Sequence, residues 1–170
     1  MDTLTTILER RSVRTYKQEP IPDADLKQIL EAGHQAPSAA NRQPWHYVIV
    51  GDPVQKARVA QACNNQMWMA DAAYIMVAVG RPQVSEKWFK VDVAIAFQTM
   101  VLAAASLGYG TCWIGAFDDQ NVRTVCGIPD DMTVVACSPL GVPDVHPPAR
   151  QRKEWDEVFS LDRFGEPLKI

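Results

Sequence analysis

Two short basic runs stand near opposite ends of an otherwise acidic chain. The first is Arg10-Arg11-Ser12-Val13-Arg14 and the second is Arg150-Gln151-Arg152-Lys153. The formal net charge over 170 residues is only -3, so basic side chains gathered this way are unevenly distributed. A guanidinium grips phosphate through a planar, bidentate fork, and a serine hydroxyl beside it adds one more donor. If the fold brings the two runs together, they form a clamp for one dianionic phosphate. Held apart, Arg10, Arg11 and Arg14 are a solvated helix end with surface ion pairs of little energetic consequence. The runs alone do not choose between these readings.

Between them lies a loop, Gln35-Ala36-Pro37-Ser38-Ala39-Ala40-Asn41-Arg42-Gln43-Pro44, rich in small and amide side chains. Its two prolines forbid a regular helix across it. Hydroxyl and amide groups of this kind read polyols and heterocycle edges by hydrogen bonding. A plainer account has Asn41 and Gln43 satisfying the backbone of their own loop.

Other chemistry is missing. The chain has no G-x-S-x-G and no Walker lysine loop. His34, His46 and His146 are scattered, without the spacing of a metal site. Gly108-Tyr109-Gly110 begins like a dinucleotide fingerprint but follows a helical pattern rather than a strand, and the third glycine is displaced to Gly115. An anion grip with no nucleophile and no metal suits a bound cofactor that brings its own reactivity.

The elements that must position these residues follow from periodicity and breakers. Apolar spacing predicts a helix over Leu4 to Arg10, ending at the first basic run. Pro22 with Asp23 and Asp25 opens a second helix, with Gly33 as its stop. Strands are expected at Trp45–Val50, Ala73–Val79, Thr111–Ile114 and Thr133–Gly141, with Pro139 marking a bend or an edge. Helices are expected from Val54 to about Cys63, briefly over Met67–Ala70, and from Asp118 to Cys126 with an aspartate cap. Lys87 to Leu107 reads as a long helix apolar nearly all round, which in so small a domain points to a subunit interface. From Pro143 onward, Pro147 and Pro148 stiffen an extended arm that carries Arg150 and Arg152, and Glu154 to Phe159 forms one further helical turn.

Residues 1–170 suit a single domain, with 143–170 as its C-terminal arm. With 47% hydrophobic and 22% charged residues, the composition is that of an ordinary globular domain. A pI near 5.6 argues against nucleic acid as the main partner. Cys63, Cys112, Cys126 and Cys137 lack zinc or C-x-x-C spacing and read as buried free thiols of a reducing compartment. The apolar segment Val91–Leu107 is expected to be too short and too interrupted for a bilayer. The N-terminus carries no secretory pattern, so the cytoplasm is the expected compartment.

Taken in order, Arg10-Arg11-Ser12-Val13-Arg14, Ala36 to Trp45, Asp92-Val93-Ala94-Ile95-Ala96, Leu102-Ala103-Ala104, Leu107 to Gly115 and Arg150 to Lys153 resemble the nitroreductase family of flavoproteins over nearly the whole chain. The resemblance implies an α+β, three-layer sandwich: a mixed, mostly antiparallel sheet flanked by helices, assembled as an intertwined homodimer with an FMN at each of two interface sites. Carried over by position, Arg10 and Ser12 would hold the FMN phosphate with Arg150 and Arg152, with Arg11 either helping or acting as a surface partner. Arg14 would face the ribityl chain and the flavin N1/O2 edge. Pro37, Ser38 and Ala39 would pack on the flavin from the other subunit, with Asn41 and Gln43 bonding its polar parts. Trp113, Ile114 and Gly115 would line the site through backbone groups. Only Arg81 to Phe89 separates the second strand from the long helix, too short for the covering helices of longer members. The flavin face is therefore open or is covered by Trp68, Trp88 or Phe89.

The implied activity is FMN-dependent NAD(P)H oxidoreduction, with NADH or NADPH as donor and nitroaromatics, quinones or related small molecules as acceptors in a ping-pong cycle. No classical catalytic residue is nominated, because the flavin does the chemistry and Arg14 gives electrostatic support. Three other readings stay open: a flavin enzyme with another substrate (an enone reductase, a dehalogenase or a dehydrogenase), a flavin-binding protein without turnover, and a structural helical dimer.

Overall fold

The computed structural model describes residues 2–168 as one antiparallel sheet between two pairs of helices. Helix α1 spans Thr3–Glu9 and is capped by Asp2, whose carboxylate accepts the Leu4 and Thr5 amides. Helix α2, Asp23–His34, follows the expected Pro22 start. Strand β1 is Trp45–Val50, helix α3 is Pro53–Ala62, and a short 3₁₀ turn covers Met67–Asp71. Strand β2 is Tyr74–Gly80 and helix α4 is Phe89–Ser106. Strand β3 is Gly110–Thr111, helix α5 is Asp119–Cys126, strand β4 is Thr133–Gly141 and helix α6 is Trp155–Val158.

The sheet order is β1-β2-β4-β3, and every ladder between named strands is antiparallel. The mixed character comes from one isolated parallel bridge between Ser12 and Thr111. Alternation along β2 divides the interior. Ile75, Val77 and Val79 face a core with Val59, Ala60 and Cys63 of the α3 region and Val122 of α5. Met76 and Ala78 face the other core, with Ile29 of α2 and Val93, Phe97 and Met100 of α4. A strand buried on both faces reads as an unbroken apolar run, as β2 does.

Four sequence expectations change. Gly33 does not stop α2: the helix runs on through His34. Gly33 instead lets α4 approach, since a Cβ there would lie 2.5 Å from Met100 Cγ. The third strand is shorter than Thr111–Ile114. After Thr111 the Cys112 amide turns to the Ser138 hydroxyl at 3.0 Å, and pairing resumes only at the Ile114–Cys137 bridge. Pro139 lies in an interior strand, but alternation from Cys137 aims its nitrogen at this gap, where no ladder bond is lost. Length does not exclude α4 from a membrane: its 18 residues have a mean hydropathy of 1.4. Its packing accounts for it, because Val93, Phe97 and Met100 fill the core against α2 and the sheet.

Asp118 caps α5 as expected, accepting the Asn121 amide at 2.9 Å. Asp118→Ala is expected to lower the unfolding free energy by about 1 kcal/mol, measured by urea denaturation.

Candidate functional site

Pairing of the N-terminal segment with the sheet brings the two basic runs together. Ser12 bridges Thr111, and the Val13 amide donates to the Thr111 carbonyl at 2.9 Å. Farther along, Tyr16 bridges Pro143, and the Lys17 and Asp144 amides donate to Val142 and Thr15 carbonyls at 3.0 Å. The C-terminal arm thus leaves β4 clamped to the segment that carries Arg14.

A facing pair of glycines allows this close approach. Gly110 and Gly141 are partners across β3 and β4. A Cβ on Gly110 would stand 2.8 Å from Val13 Cβ. One on Gly141 would stand 2.9 Å from Tyr16 Cδ1 and 3.1 Å from Ala72 Cα. Val13 and Tyr16 are buried here with Ala72, and the Tyr16 hydroxyl donates to the Val13 carbonyl at 2.7 Å. Burial pushes the Tyr16 phenol far above its ordinary range.

The product is a cavity of about 490 Å³ lined by Arg10, Arg11, Ser12, Arg14, Arg150 and Arg152, with walls from Ile7, Leu8 and Pro147–Ala149. Its charge is uncompensated: among the described residues none of these five arginines forms an ion pair with a carboxylate. Arg123 shows the contrast, pairing with Asp119 and Asp130 at 2.8 Å each. Arg11 is the member already engaged. Its Nη1 donates to the carbonyls of Leu8 at 2.7 Å and Arg10 at 3.0 Å, closing the end of α1.

Cys112 lies buried beside this cluster. Burial pushes its thiol up, while the charge of Arg14, a hydrogen bond with Ser12, and the charges of Arg10 and Arg150 pull it back. Arginines from both ends of the chain therefore act on one sulfur. The next residues continue outward. Trp113 is about one-third exposed, stands edge-on to Phe97 at 4.9 Å and donates from Nε1 to Gln98 Oε1 at 2.9 Å. Ile114 is buried and Gly115 exposed.

Pro37, Ser38, Ala39, Asn41 and Gln43 do not line this cavity. They form a separate, self-bonded loop. The Gln43 amide donates to the Ser38 hydroxyl at 3.0 Å, and Gln43 Nε2 donates to Asn41 Oδ1 at 3.2 Å. The Ala39 amide donates to the buried Asp92 carboxylate at 3.0 Å. Trp113, Ile114 and Gly115 do not line the cavity either, so within one chain the candidate residues fall into three groups: the arginine pocket, the amide loop and the Trp113–Gly115 segment. Of the three aromatics considered as a cover, Phe89 is buried against Gly80 and Trp68 packs into the core. Only Trp88 is substantially exposed, with Lys87 Nζ 5.2 Å from its ring centroid.

Asp92, Gln98, Cys112 and Gly141 were not apparent as site residues from sequence. Asp92 had a usable signal, a single carboxylate inside an apolar helix. The other three depend on contacts distant in the chain. The donor set fits a phosphate-bearing cofactor, since unpaired guanidinium groups and a hydroxyl converge on one solvent-connected cavity.

Known proteins resemble the chain over most of its length. A family model described as "Nitroreductase family" matches residues 7–83 and 63–142. An Archaeoglobus fulgidus protein provisionally named NADH dehydrogenase/NAD(P)H nitroreductase is 31% identical, over 96% of each chain. The NADPH-flavin oxidoreductase of Vibrio harveyi is 30% identical, over 97% of this chain and 75% of its own. The crystal structure of a nitroreductase family protein from Clostridium novyi NT superposes with a TM-score of 0.81 at 33% identity, covering 98% of this chain and 96% of that one. Matched by the family model over more than half of its length and by these relatives over nearly all of it, the chain belongs to the nitroreductase family.

Proposed function

We propose that the chain is an FMN-dependent NAD(P)H oxidoreductase that reduces nitroaromatics, quinones or related small acceptors, acting as a homodimer in the cytoplasm. The observation that carries this reading is the cavity in which Arg10, Ser12, Arg14, Arg150 and Arg152 meet with no counter-ion among the described residues. Guanidinium groups of one sign gathered around one cavity call for an anion, and a phosphate monoester matches their fork geometry. The names of the relatives support FMN and NAD(P)H as the cofactor and donor.

Arg10, Ser12, Arg150 and Arg152 would hold the phosphate. Bound FMN supplies the redox chemistry, taking up and releasing a hydride equivalent. Arg14, exposed at the edge of the same pocket, would stabilise negative charge that develops at the flavin N1/O2 edge, without itself exchanging a proton. Trp113, Ile114 and Gly115 would offer backbone groups to the same site, with Trp113 held in place by Gln98 and Phe97. Pro37, Ser38, Ala39, Asn41 and Gln43 would be presented to the pocket of a second subunit.

Surface area supports the homodimer. A folded monomer of 18.9 kDa is expected to expose about 8,300 Å². This chain exposes 10188 Å², about 1,900 Å² more than that scaling. Leu4, Ile7 and Leu8 of α1, Val91 and Ile95 of α4, and Trp155, Phe159 and Phe164 of the arm are all exposed.

The test is an absorbance spectrum of the purified protein, recorded before and after each nicotinamide without oxygen. A flavin spectrum that bleaches with NADH or NADPH is expected. A colourless protein that takes up no FMN on reconstitution would overturn the reading. Arg14→Ala is expected to lower the flavin midpoint potential by about 30 mV, or roughly 1.4 kcal/mol for a two-electron couple. An unchanged potential in a redox titration would remove Arg14 from the N1/O2 edge.

A further inference from the structure

Asp92 is the only carboxylate among the fully buried polar residues described, at 3% exposure in the first turn of α4. Its Oδ1 accepts the Ala39 amide at 3.0 Å, across 53 residues of sequence. Its Oδ2 is enclosed and has no partner among the described residues. A buried carboxylate with one oxygen unpaired is costly, and an asparagine would fill the same space uncharged. The positive end of the α4 dipole offsets part of that cost. In return the charge makes the bond to Ala39 about twice as strong as a neutral one.

The other end of that bond needs the strength. Ala40, Asn41 and Gln43 have φ values of 50°, 54° and 49°, in the left-handed region that L-residues avoid. Three such residues within four positions persist only where their surroundings hold them. Apart from the loop's own bonds, the side-chain bond that ties it to the rest of the chain among the described residues is the one to Asp92.

We propose that Asp92 is a positioning residue for cofactor binding: its carboxylate holds the Ser38–Gln43 loop in the strained conformation that presents Ser38, Asn41 and Gln43 to the flavin. This rests on the FMN reading above. It assigns the loop to the flavin body and the arginine pocket to the phosphate, so the two can be separated by choice of probe.

The experiment titrates apo-protein with FMN and, in parallel, with inorganic phosphate, which engages the arginine pocket alone. Asp92→Ala is expected to weaken FMN binding at least about tenfold and phosphate binding less than about twofold. Asp92→Asn, which keeps an oxygen for the Ala39 amide, is expected to return FMN affinity to within about threefold of wild type. Ala39→Pro removes the donor itself. Ser38 is already extended, with φ -144° and ψ 159°, as a residue before proline prefers, and proline suits the first position of a helical turn. Ala39→Pro is expected to reproduce the loss, and the double variant with Asp92→Ala to be no weaker than either single. Hydrogen exchange of the 38–43 backbone in apo-protein rises in both Asp92→Ala and Ala39→Pro, and by less in Asp92→Asn. FMN affinity unchanged in Asp92→Ala, equal losses of FMN and phosphate, no rescue by asparagine, or additive losses in the double variant would each overturn the proposal. If wild-type protein binds no FMN, the FMN reading fails, and hydrogen exchange still decides whether Asp92 holds the loop. If Asp92→Ala does not fold, Ala39→Pro against Asp92→Asn carries the same comparison.

Discussion

Replacing Arg10 and Ser12 together by alanine is expected to weaken FMN binding by about 3–6 kcal/mol, the sum of two hydrogen bonds to a charged phosphate. Calorimetric titration of apo-protein with FMN measures this directly. The size of the effect follows from the pocket, not from the arginine alone. Among the described residues Arg10 has no carboxylate to fall back on, so its donor capacity is available to a ligand. Ser12 is fixed by the parallel bridge to Thr111 and cannot drift from its neighbour. Arg11→Ala provides the control. Its guanidinium is spent on the carbonyls of Leu8 and Arg10, so its loss should act on α1 more than on affinity. If the Arg10 and Ser12 double variant binds FMN as well as wild type, the phosphate is held elsewhere.

Gly141→Ala is expected to lower the unfolding free energy by about 2–3 kcal/mol, a typical cost of overpacking a filled interior, with urea denaturation as the measurement. A single methyl group there meets the ring of Tyr16 on one side and the backbone of Ala72 and Ala73 on the other, at 2.9–3.1 Å. The ring could rotate, but the backbone behind it cannot yield without moving β2. The variant should also lose FMN affinity, because Tyr16 and Val13 carry the segment that holds Ser12 and Arg14. A stable Gly141→Ala protein with normal affinity would show that the segment can relax away from the sheet without opening the pocket.

Much of the fold was legible because its signals are local. The unbroken apolar run of β2, the proline opening of α2 and the aspartate cap of α5 each depend on a few adjacent residues. The basic runs were equally plain, and Pro143, Pro147 and Pro148 marked the arm that brings the second run back. What stayed hidden depends on partners far along the chain. Gly33 looks like a helix stop until Met100 is known to press on it. Gly141 looks like the end of a strand until Tyr16 is seen to cross it. The third strand looks four residues long until Ser138 takes the Cys112 amide. Asp92 was visible as one residue of a family-like run and as the lone carboxylate of an apolar helix, but not as a loop anchor, since its partner lies at Ala39. The loop's left-handed residues gave no warning, because Ala40 and Gln43 are not residue types that favour that conformation.

The connection between β2 and α4 has a consequence for how such a protein could change. It spans residues 81–88 and is closed by short-range bonds, with Ser85 and Arg81 carbonyls taking the Phe89 and Val84 amides at 2.8 and 3.1 Å. Loop-closure entropy rises only with the logarithm of length, about 0.6 kcal/mol for each doubling. Residues could therefore be inserted here in number while both cores and the arginine pocket stayed as they are. The asymmetry is between a phosphate clamp that a single added methyl would disturb and a neighbouring span open to growth. Divergence among relatives should accordingly collect at this span, leaving the anion grip as the slowly changing part of the molecule.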